Sequence, residues 1–98
     1  MFWCKVFPTK YDFVVAICDE HLLGKKLKFK QMDIFIAKNF YGGQLIDANI
    51  AVKVMGRATI GNLFGKEIVE VAEKNGFISR ENVVVIDKVP NAQFAKLQ

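Results

Sequence analysis

The sequence has few of the residues that carry catalytic and metal-binding chemistry. Its 98 residues include one histidine, His21, one serine, Ser79, and two cysteines, Cys4 and Cys18, that are too far apart for a C-x-x-C pair. It contains no G-x-S-x-G, G-x-G-x-x-G, P-loop or H-E-x-x-H motif. We therefore expect no metal site and no cofactor, assign no catalytic residue, and favour a protein that is not an enzyme.

Long apolar runs are also absent. Met1–Phe7 is apolar, but it lacks the basic leader and the extended hydrophobic segment of a signal peptide, and no later run approaches the length of a membrane helix. We therefore expect a cytoplasmic protein without a membrane partner. In that reducing compartment Cys4 and Cys18 are expected to be buried free thiols.

Apolar residues are abundant, at 52% of the chain, which is enough to pack a core and is unlike disordered protein. Phe13–Cys18 is an unbroken apolar run rich in β-branched residues, as expected for a strand buried on both faces. The pattern predicts an α+β (mixed α/β) fold, a single small domain over residues 11–98 with a mixed sheet of three to five strands and two main helices. Residues 1–10 are either an apolar extension or an extra strand.

Local signals place the two helices. Asp47 is the predicted cap of a helix from Ala48 to Met55, with Gly56 as its stop. Asn62 is the predicted cap of the second helix, whose apolar residues repeat at helical spacing up to a left-handed stop at Gly76.

The other elements are less sharply marked. Residues 26–37 form either a hairpin or a loop followed by a strand, and the lack of an Asn-Gly or Asp-Gly turn favours the second interpretation. Val83–Ile86 is a predicted apolar strand, and residues 87–91 are a predicted loop. Residues 92–97 are either a last strand or a short tail helix.

The net charge of +4 is unevenly distributed. The excess lies in residues 1–57 and is concentrated between Lys25 and Lys38, which indicates an anionic partner. Lysines there would neutralise phosphates, and Tyr41 or Phe40 would stack on an unpaired base. The candidate nucleic-acid contacts are Lys25, Lys26, Lys28, Lys30, Lys38, Tyr41 and Arg57. The alternative is that the lysines protect an exposed sheet edge from aggregation.

A second set of polar residues and glycines is a candidate small-ligand site. Its members are Asp19, Glu20, His21, Tyr41, Gly42, Gly43, Asn91 and Gln93. The first three adjoin Cys18 and are the only cluster that resembles a thiol–imidazole site, although Asp19 would equally cap a helical turn over residues 20–23. The two glycines would present amides to an anion or make a tight connection. Asn91 and Gln93 would bind polar ligand groups from a loop, or simply form a turn.

Three motifs and a linking segment carry a family resemblance. They are Asp19-Glu20-His21-Leu22-Leu23-Gly24-Lys25, Phe40-Tyr41-Gly42-Gly43 and Val89-Pro90-Asn91-Ala92-Gln93, with Asn62-Leu63-Phe64-Gly65 before the last. Together they resemble the small archaeal proteins grouped as domain of unknown function 424, over residues 11–94. The resemblance implies a fold type, an archaeal, intracellular origin and an association with translation genes, but no activity. The chain departs from the pattern in residues 1–10 and at Asn91, where histidine is expected.

Three functions from different classes follow as hypotheses. The first is a non-enzymatic binding module that contacts RNA or a ribonucleoprotein through the Lys25–Lys38 segment and the Tyr41–Gly43 loop. The second is a small enzyme or small-molecule binder that uses Asp19, Glu20, His21 and Asn91. The third is a protein-interaction subunit that forms a homodimer through Met1–Phe7, a contact that Trp3→Ala would dissolve.

Overall fold

The computed structural model describes residues 1–97. The strands are β1 (Phe2–Pro8), β2 (Phe13–Asp19), β3 (Lys26–Phe29), β4 (Met32–Phe35), β5 (Gln44–Ile46), β6 (Ile60–Phe64), β7 (Val83–Ile86) and β8 (Val89–Ala95). The helices are α1 (Lys38–Tyr41), α2 (Ala48–Arg57) and α3 (Lys66–Lys74), with short 3-10 turns at Glu20–Leu22 and Arg80–Asn82. No helix within this part of the chain is long and apolar enough to cross a membrane.

Six strands form one mixed sheet in the order β5-β1-β2-β6-β8-β7, and β3 and β4 form a separate two-stranded sheet. The α+β class is confirmed, but the prediction of three to five strands was too low. The prediction missed elements such as β5, which is only three residues long. A strand that short shows no measurable alternation, so it is recognised only from its pairing with β1.

Strand β2 lies inside the sheet, antiparallel to β1 and parallel to β6. Residues Val15 to Asp19 are all buried, because the two faces of β2 pack on two different hydrophobic clusters of the molecule. The prediction of a strand buried on both sides is confirmed.

Helices α2 and α3 cover one face of the sheet, which we call the helix-covered face. Met55 from α2 and Ile68 from α3 are fully buried there against Ile17 and Leu63 of the strands. Burial of one such side chain contributes roughly 1.5–3 kcal/mol. Of the two hydrophobic clusters of the molecule, the one on this face is the larger.

The opposite face, which we call the second face, is covered at one end only. The β3–β4 hairpin, the turn at Leu22 and the one-turn helix α1 pack over Cys18 and Phe64. The preferred interpretation of residues 26–37 as a loop and one strand was wrong. The chain turns at Lys30, which has a positive φ of 59°. In a hairpin this conformation is normally adopted by glycine or asparagine.

A second hairpin joins β7 to β8 through Asp87 and Lys88, both with positive φ. Two such residues make the mirror-image turn that fits the twist of a hairpin. The prediction of a loop over residues 87–91 was therefore wrong, and Asn91 lies in strand β8. Strand β7 pairs with β8 alone and forms an edge of the sheet.

The helix predictions were partly correct. The Asp47 carboxylate accepts from the Ile50 N–H at 2.9 Å and caps α2, which ends one residue beyond Gly56. Gly76, with φ of 78°, follows α3 as the expected left-handed stop. The cap predicted at Asn62 was wrong, because Ile60–Phe64 pairs with β2 and α3 begins only at Lys66.

Residues 2–8 form β1, which pairs with β2 along its whole length and with β5 over Phe2–Cys4. Trp3 and Phe7, which the homodimer hypothesis placed at the surface, are half-buried and pack on the second-face cluster. The first residues of the chain are thus built into the sheet.

Candidate functional site

Polar side chains occupy the uncovered end of the second face. The strand register aligns Lys5, Ala16, Asn62 and Gln93 in one row across β1, β2, β6 and β8. The next row is apolar and consists of Phe7, Val14, Ile60 and Ala95. Neither row carries an acidic residue. We call Lys5, Phe40, Asn62, Asn91 and Gln93 the open patch.

Hydrogen bonds connect three side chains at the centre of this patch. The Tyr41 hydroxyl donates to Asn62 Oδ1 at 2.7 Å. Asn91 Nδ2 donates to the Leu63 carbonyl at 2.9 Å and lies 3.4 Å from Asn62 Oδ1. The two amides are thereby held against a backbone that cannot move without breaking the sheet.

Aromatic rings run from the patch into the second-face cluster. Phe7 stacks on Phe40 with centroids 5.3 Å apart, and Phe40 meets the edge of Tyr41 at 4.9 Å. Tyr41 continues to Phe64 at 6.4 Å. Phe40 is 36% exposed, whereas Tyr41 is 5% exposed, so Phe40 is the ring of this pair that an unpaired base can reach.

Tyr41 lies beneath the open patch and has a structural role there. Burial raises the pKa of its hydroxyl above the ordinary value, which keeps the group protonated and able to donate to Asn62. Its ring packs within the cluster of Cys18 and Phe64. Of the two rings expected to stack on an unpaired base, Tyr41 is buried and Phe40 is the more exposed.

The lysines predicted to contact nucleic acid lie mostly on the same side of the sheet. Lys25, Lys26, Lys28 and Lys30 are exposed on or next to the β3–β4 hairpin, and Lys38 is exposed on α1. Lys28 forms an exposed ion pair with Asp33 at 2.6 Å, while the Lys30 ammonium lies 5.5 Å from the Phe29 ring. Arg57 is separated from them, because it ends α2 on the helix-covered face.

The Asp19 corner is structural. The Asp19 side chain is 1% exposed and accepts from the N–H groups of Glu67 at 3.0 Å and Ile68 at 2.9 Å, the first turn of α3. Burial raises the pKa of Asp19, and these two N–H donors oppose part of that rise. Asp19 makes no side-chain cap on the 3-10 turn at Glu20–Leu22, so the cap predicted there was wrong and belongs to α3.

The corner also lacks an activated thiol. Burial, and then the neighbouring Asp19 charge, raise the pKa of the Cys18 thiol to about 12, so the thiolate is not available near neutral pH. Glu20 and His21 are exposed. A small pocket of about 160 Å³ reaches from Asp19 and His21 to Lys66 and Lys88.

Gly42 and Gly43 serve packing. Their N–H groups donate to the carbonyls of Lys38 and Tyr41, so they are not free to bind an anion. A Cβ on Gly43 would lie 2.3 Å from the Cys4 carbonyl oxygen, which shows that glycine allows this segment to approach β1. Of the two roles considered for these glycines, the contacts favour the tight connection over anion binding.

The family is identified by sequence. The model of the family described as protein of unknown function, DUF424, matches residues 8–97. The chain belongs to the DUF424 family. No curated protein sequence matches this DUF424 chain.

A solved structure shares the fold of this DUF424 protein. It is the crystal structure of an uncharacterized conserved protein from Methanopyrus kandleri, with a TM-score of 0.83 and 24% sequence identity. The match covers 99% of this chain and 94% of that one. At this identity the likeness establishes the architecture alone.

Sequence reasoning missed two members of the open patch in this DUF424 chain, Lys5 and Asn62. Asn62 was assigned to a helix cap, and Lys5 to a possible extension. The signal was the alternation of polar Asn62 with buried Gly61 and Leu63, which is the period of a strand. Their alignment depends on pairing between strands distant in sequence, so no local pattern contains it.

Proposed function

We propose that this protein is a non-enzymatic module that binds single-stranded RNA, alone or within a ribonucleoprotein, across the second face of its sheet. The phosphates meet the lysines of the β3–β4 hairpin and α1, and the bases meet the open patch. This surface keeps the hairpin lysines of the sequence-based hypothesis and replaces the Tyr41–Gly43 loop with Phe40 and the sheet.

The distribution of charge supports a polyanionic ligand on this side. Residues 25–38 contain five lysines and one acidic residue, Asp33, for a net charge of +4. The helices of the other side balance their charges, with Lys53, Arg57, Lys66 and Lys74 against Asp47, Glu67, Glu70 and Glu73. A phosphate backbone is drawn to the side with uncompensated positive charge.

The observation that carries the proposal is an exposed aromatic ring beside uncharged amides on an uncovered sheet. Phe40 offers a π face to one base, while Asn62, Asn91 and Gln93 offer hydrogen bonds to base edges. Unpaired RNA bases are recognised by this combination of stacking and edge contacts. Double-stranded RNA conceals both its base faces and most of its base edges.

The test is fluorescence anisotropy with a labelled 12-nucleotide single-stranded RNA over a range of salt concentrations. We expect the logarithm of the affinity to fall linearly with the logarithm of salt, with a slope of about −0.7 for each phosphate neutralised. The triple variant Lys25→Glu, Lys26→Glu and Lys30→Glu should abolish binding. Lys28 is left in place because Asp33 is its ion-pair partner.

The matched control is Lys53→Glu, Arg57→Glu and Lys74→Glu, which changes the net charge equally on the helix-covered side. It should weaken binding much less than the hairpin variant. Equal losses in the two variants would mean that net charge alone attracts RNA. Flat anisotropy of the unmodified protein at low salt would refute the proposal.

The other two hypotheses have less support. The Asp19 carboxylate accepts from α3 and the Cys18 thiol stays protonated, which leaves the enzyme hypothesis with exposed Glu20 and His21 and with Asn91 on strand β8. The homodimer hypothesis required an exposed apolar start of the chain, and Trp3 is instead half-buried against the second-face cluster.

A further inference from the structure

Two asparagines of the open patch are held in one orientation by a backbone carbonyl. The Leu63 carbonyl oxygen can only accept, so the Asn91 atom that lies 2.9 Å from it is the donor Nδ2. The Asn62 atom that lies 3.4 Å from this Nδ2 must then be the acceptor Oδ1. The Tyr41 hydroxyl, 2.7 Å from that oxygen, therefore donates to it.

This arrangement leaves one donor and one acceptor for a ligand. Asn62 Nδ2 and Asn91 Oδ1 have no hydrogen-bond partner within residues 1–97. Both side chains are half-buried on adjacent strands, β6 and β8, in diagonal positions of the sheet. A polar edge that binds both atoms would displace water without disturbing the network beneath.

We infer that Asn62 and Asn91 together read the hydrogen-bonding edge of one unstacked nucleobase. Asn62 Nδ2 donates to a ring nitrogen or carbonyl of the base, and Asn91 Oδ1 accepts from the neighbouring N–H group. This inference rests on the proposed RNA-binding function and adds a means of base selection to it. Every nucleobase has an acceptor beside a donor on an exposed edge, and the geometry of the pair selects among them.

The surroundings suit an uncharged planar group. An open depression of about 300 Å³ adjoins Asn91 and is lined by Asn82, Val84, Asn91, Ala92 and Gln93. Amides carry no net charge and attract phosphate weakly, so their value lies in the direction of their hydrogen bonds. The exposed Phe40 ring lies next to Tyr41, close enough to the network for a neighbouring base to stack there.

The test compares 12-nucleotide homopolymers of adenine, cytosine and uracil, which carry the same phosphates. We expect the tightest and weakest of the three to differ by about tenfold or more in affinity. Asn62→Asp is the decisive variant, because its carboxylate still accepts from Tyr41 and Asn91 while the outward donor becomes an acceptor. The spread among bases should fall to about twofold or change its order.

A uniform loss of affinity in Asn62→Asp reflects only the added charge, so the ratio between bases is the readout. Asn49→Asp, exposed on α2, adds the same charge on the other side and should keep the spread. Tyr41→Phe keeps the ring but removes the hydroxyl that orients Asn62, and it should narrow the spread while leaving the salt slope unchanged.

The outcomes separate base selection from RNA binding. Equal, salt-dependent affinity for all three homopolymers would overturn the base-reading inference and preserve the proposed function. A spread that persists unchanged in Asn62→Asp would also overturn it, because stacking alone would then explain the preference. Absence of binding to any of the RNAs would overturn both.

Discussion

The helix-covered face and the second face are built from the same strands but differ in what covers them. Helices α2 and α3 extend over the first, whereas a short hairpin and a single helical turn cover only one end of the second. Consecutive residues of β6 show the result, since Leu63 is fully buried under the helices and Asn62 is half-buried and polar. The extent of the cover, more than the strand itself, decides which side chains a sheet position accepts.

The comparison also separates structural from functional polar groups. The one fully buried charged residue among residues 1–97, Asp19, directs both carboxylate oxygens at the first turn of α3. Asn62 and Asn91 satisfy each other and a backbone carbonyl but keep one atom each for solvent. Polar residues on an incompletely covered face are thus the better candidates for binding.

The largest expected effect distinguishes the two faces within one strand. Leu63→Ala removes a fully buried side chain from beneath the helices and should lower the free energy of unfolding by about 2–5 kcal/mol. Ile60→Ala acts on the uncovered end of the second face and should cost about 1 kcal/mol or less. Urea denaturation followed by circular dichroism measures both. Equal losses would show that the second face is covered in solution.

The next prediction concerns the junction of α3 with the end of β2. Gly65 has φ of 127°, and a Cβ there would lie 2.3 Å from the Asp19 carboxyl carbon. Gly65→Ala should therefore destabilise the protein by about 2–4 kcal/mol through backbone strain and displacement of Asp19.

Gly76→Ala is the matched control, since Gly76 also has positive φ but its Cβ would meet nothing within 4 Å. It should cost about 1 kcal/mol from the backbone alone. A similar loss at both glycines would mean that the close approach of Asp19 contributes nothing. Urea denaturation of the two variants gives the difference.

Sequence reasoning succeeded where the cause was local. Three correct predictions each depend on residues that are close together in the sequence: the Asp47 cap, the stop at Gly76 and the buried strand at Phe13–Cys18. It failed at the two hairpins, because Lys30, Asp87 and Lys88 adopt positive φ without the usual glycine. The pairing of the flanking strands imposes this backbone conformation on the turn residues.

The open patch was beyond sequence reasoning for the same reason. Its row joins Lys5, Asn62 and Gln93 from three strands, and only the register of those strands aligns them. Asn91 and Gln93 were identified as candidate binding residues but placed in a loop. The lysines could be proposed from the sequence because the distribution of charge along the chain is visible without a fold.

A smaller effect tests whether only the second face binds RNA. Phe40→Ala removes the exposed ring and should weaken single-stranded RNA binding by about tenfold, since stacking on one base contributes about 1–3 kcal/mol. Phe77→Ala removes a half-buried ring that stacks on Phe94 within the helix-covered cluster. It should reduce stability yet leave RNA affinity unchanged. An equal affinity loss in both variants would contradict the assignment of the two faces.

The smallest effect on stability is expected at the edge where both faces end. Val84 and Val85 of β7 are 50% and 59% exposed, and within residues 1–97 no strand pairs with the outer edge of β7. An unpaired apolar edge is a site for association between sheets, which a lysine would discourage. Val84→Lys should therefore change the free energy of unfolding by no more than about 0.5 kcal/mol and slow aggregation on heating, followed by light scattering. Leu97→Lys adds the same charge at a fully exposed position outside the strands and should slow aggregation less. A large loss of stability in Val84→Lys would instead show that another chain covers this edge. The second face would then be less exposed in solution than the single chain indicates, in which the hairpin and α1 cover one end of it.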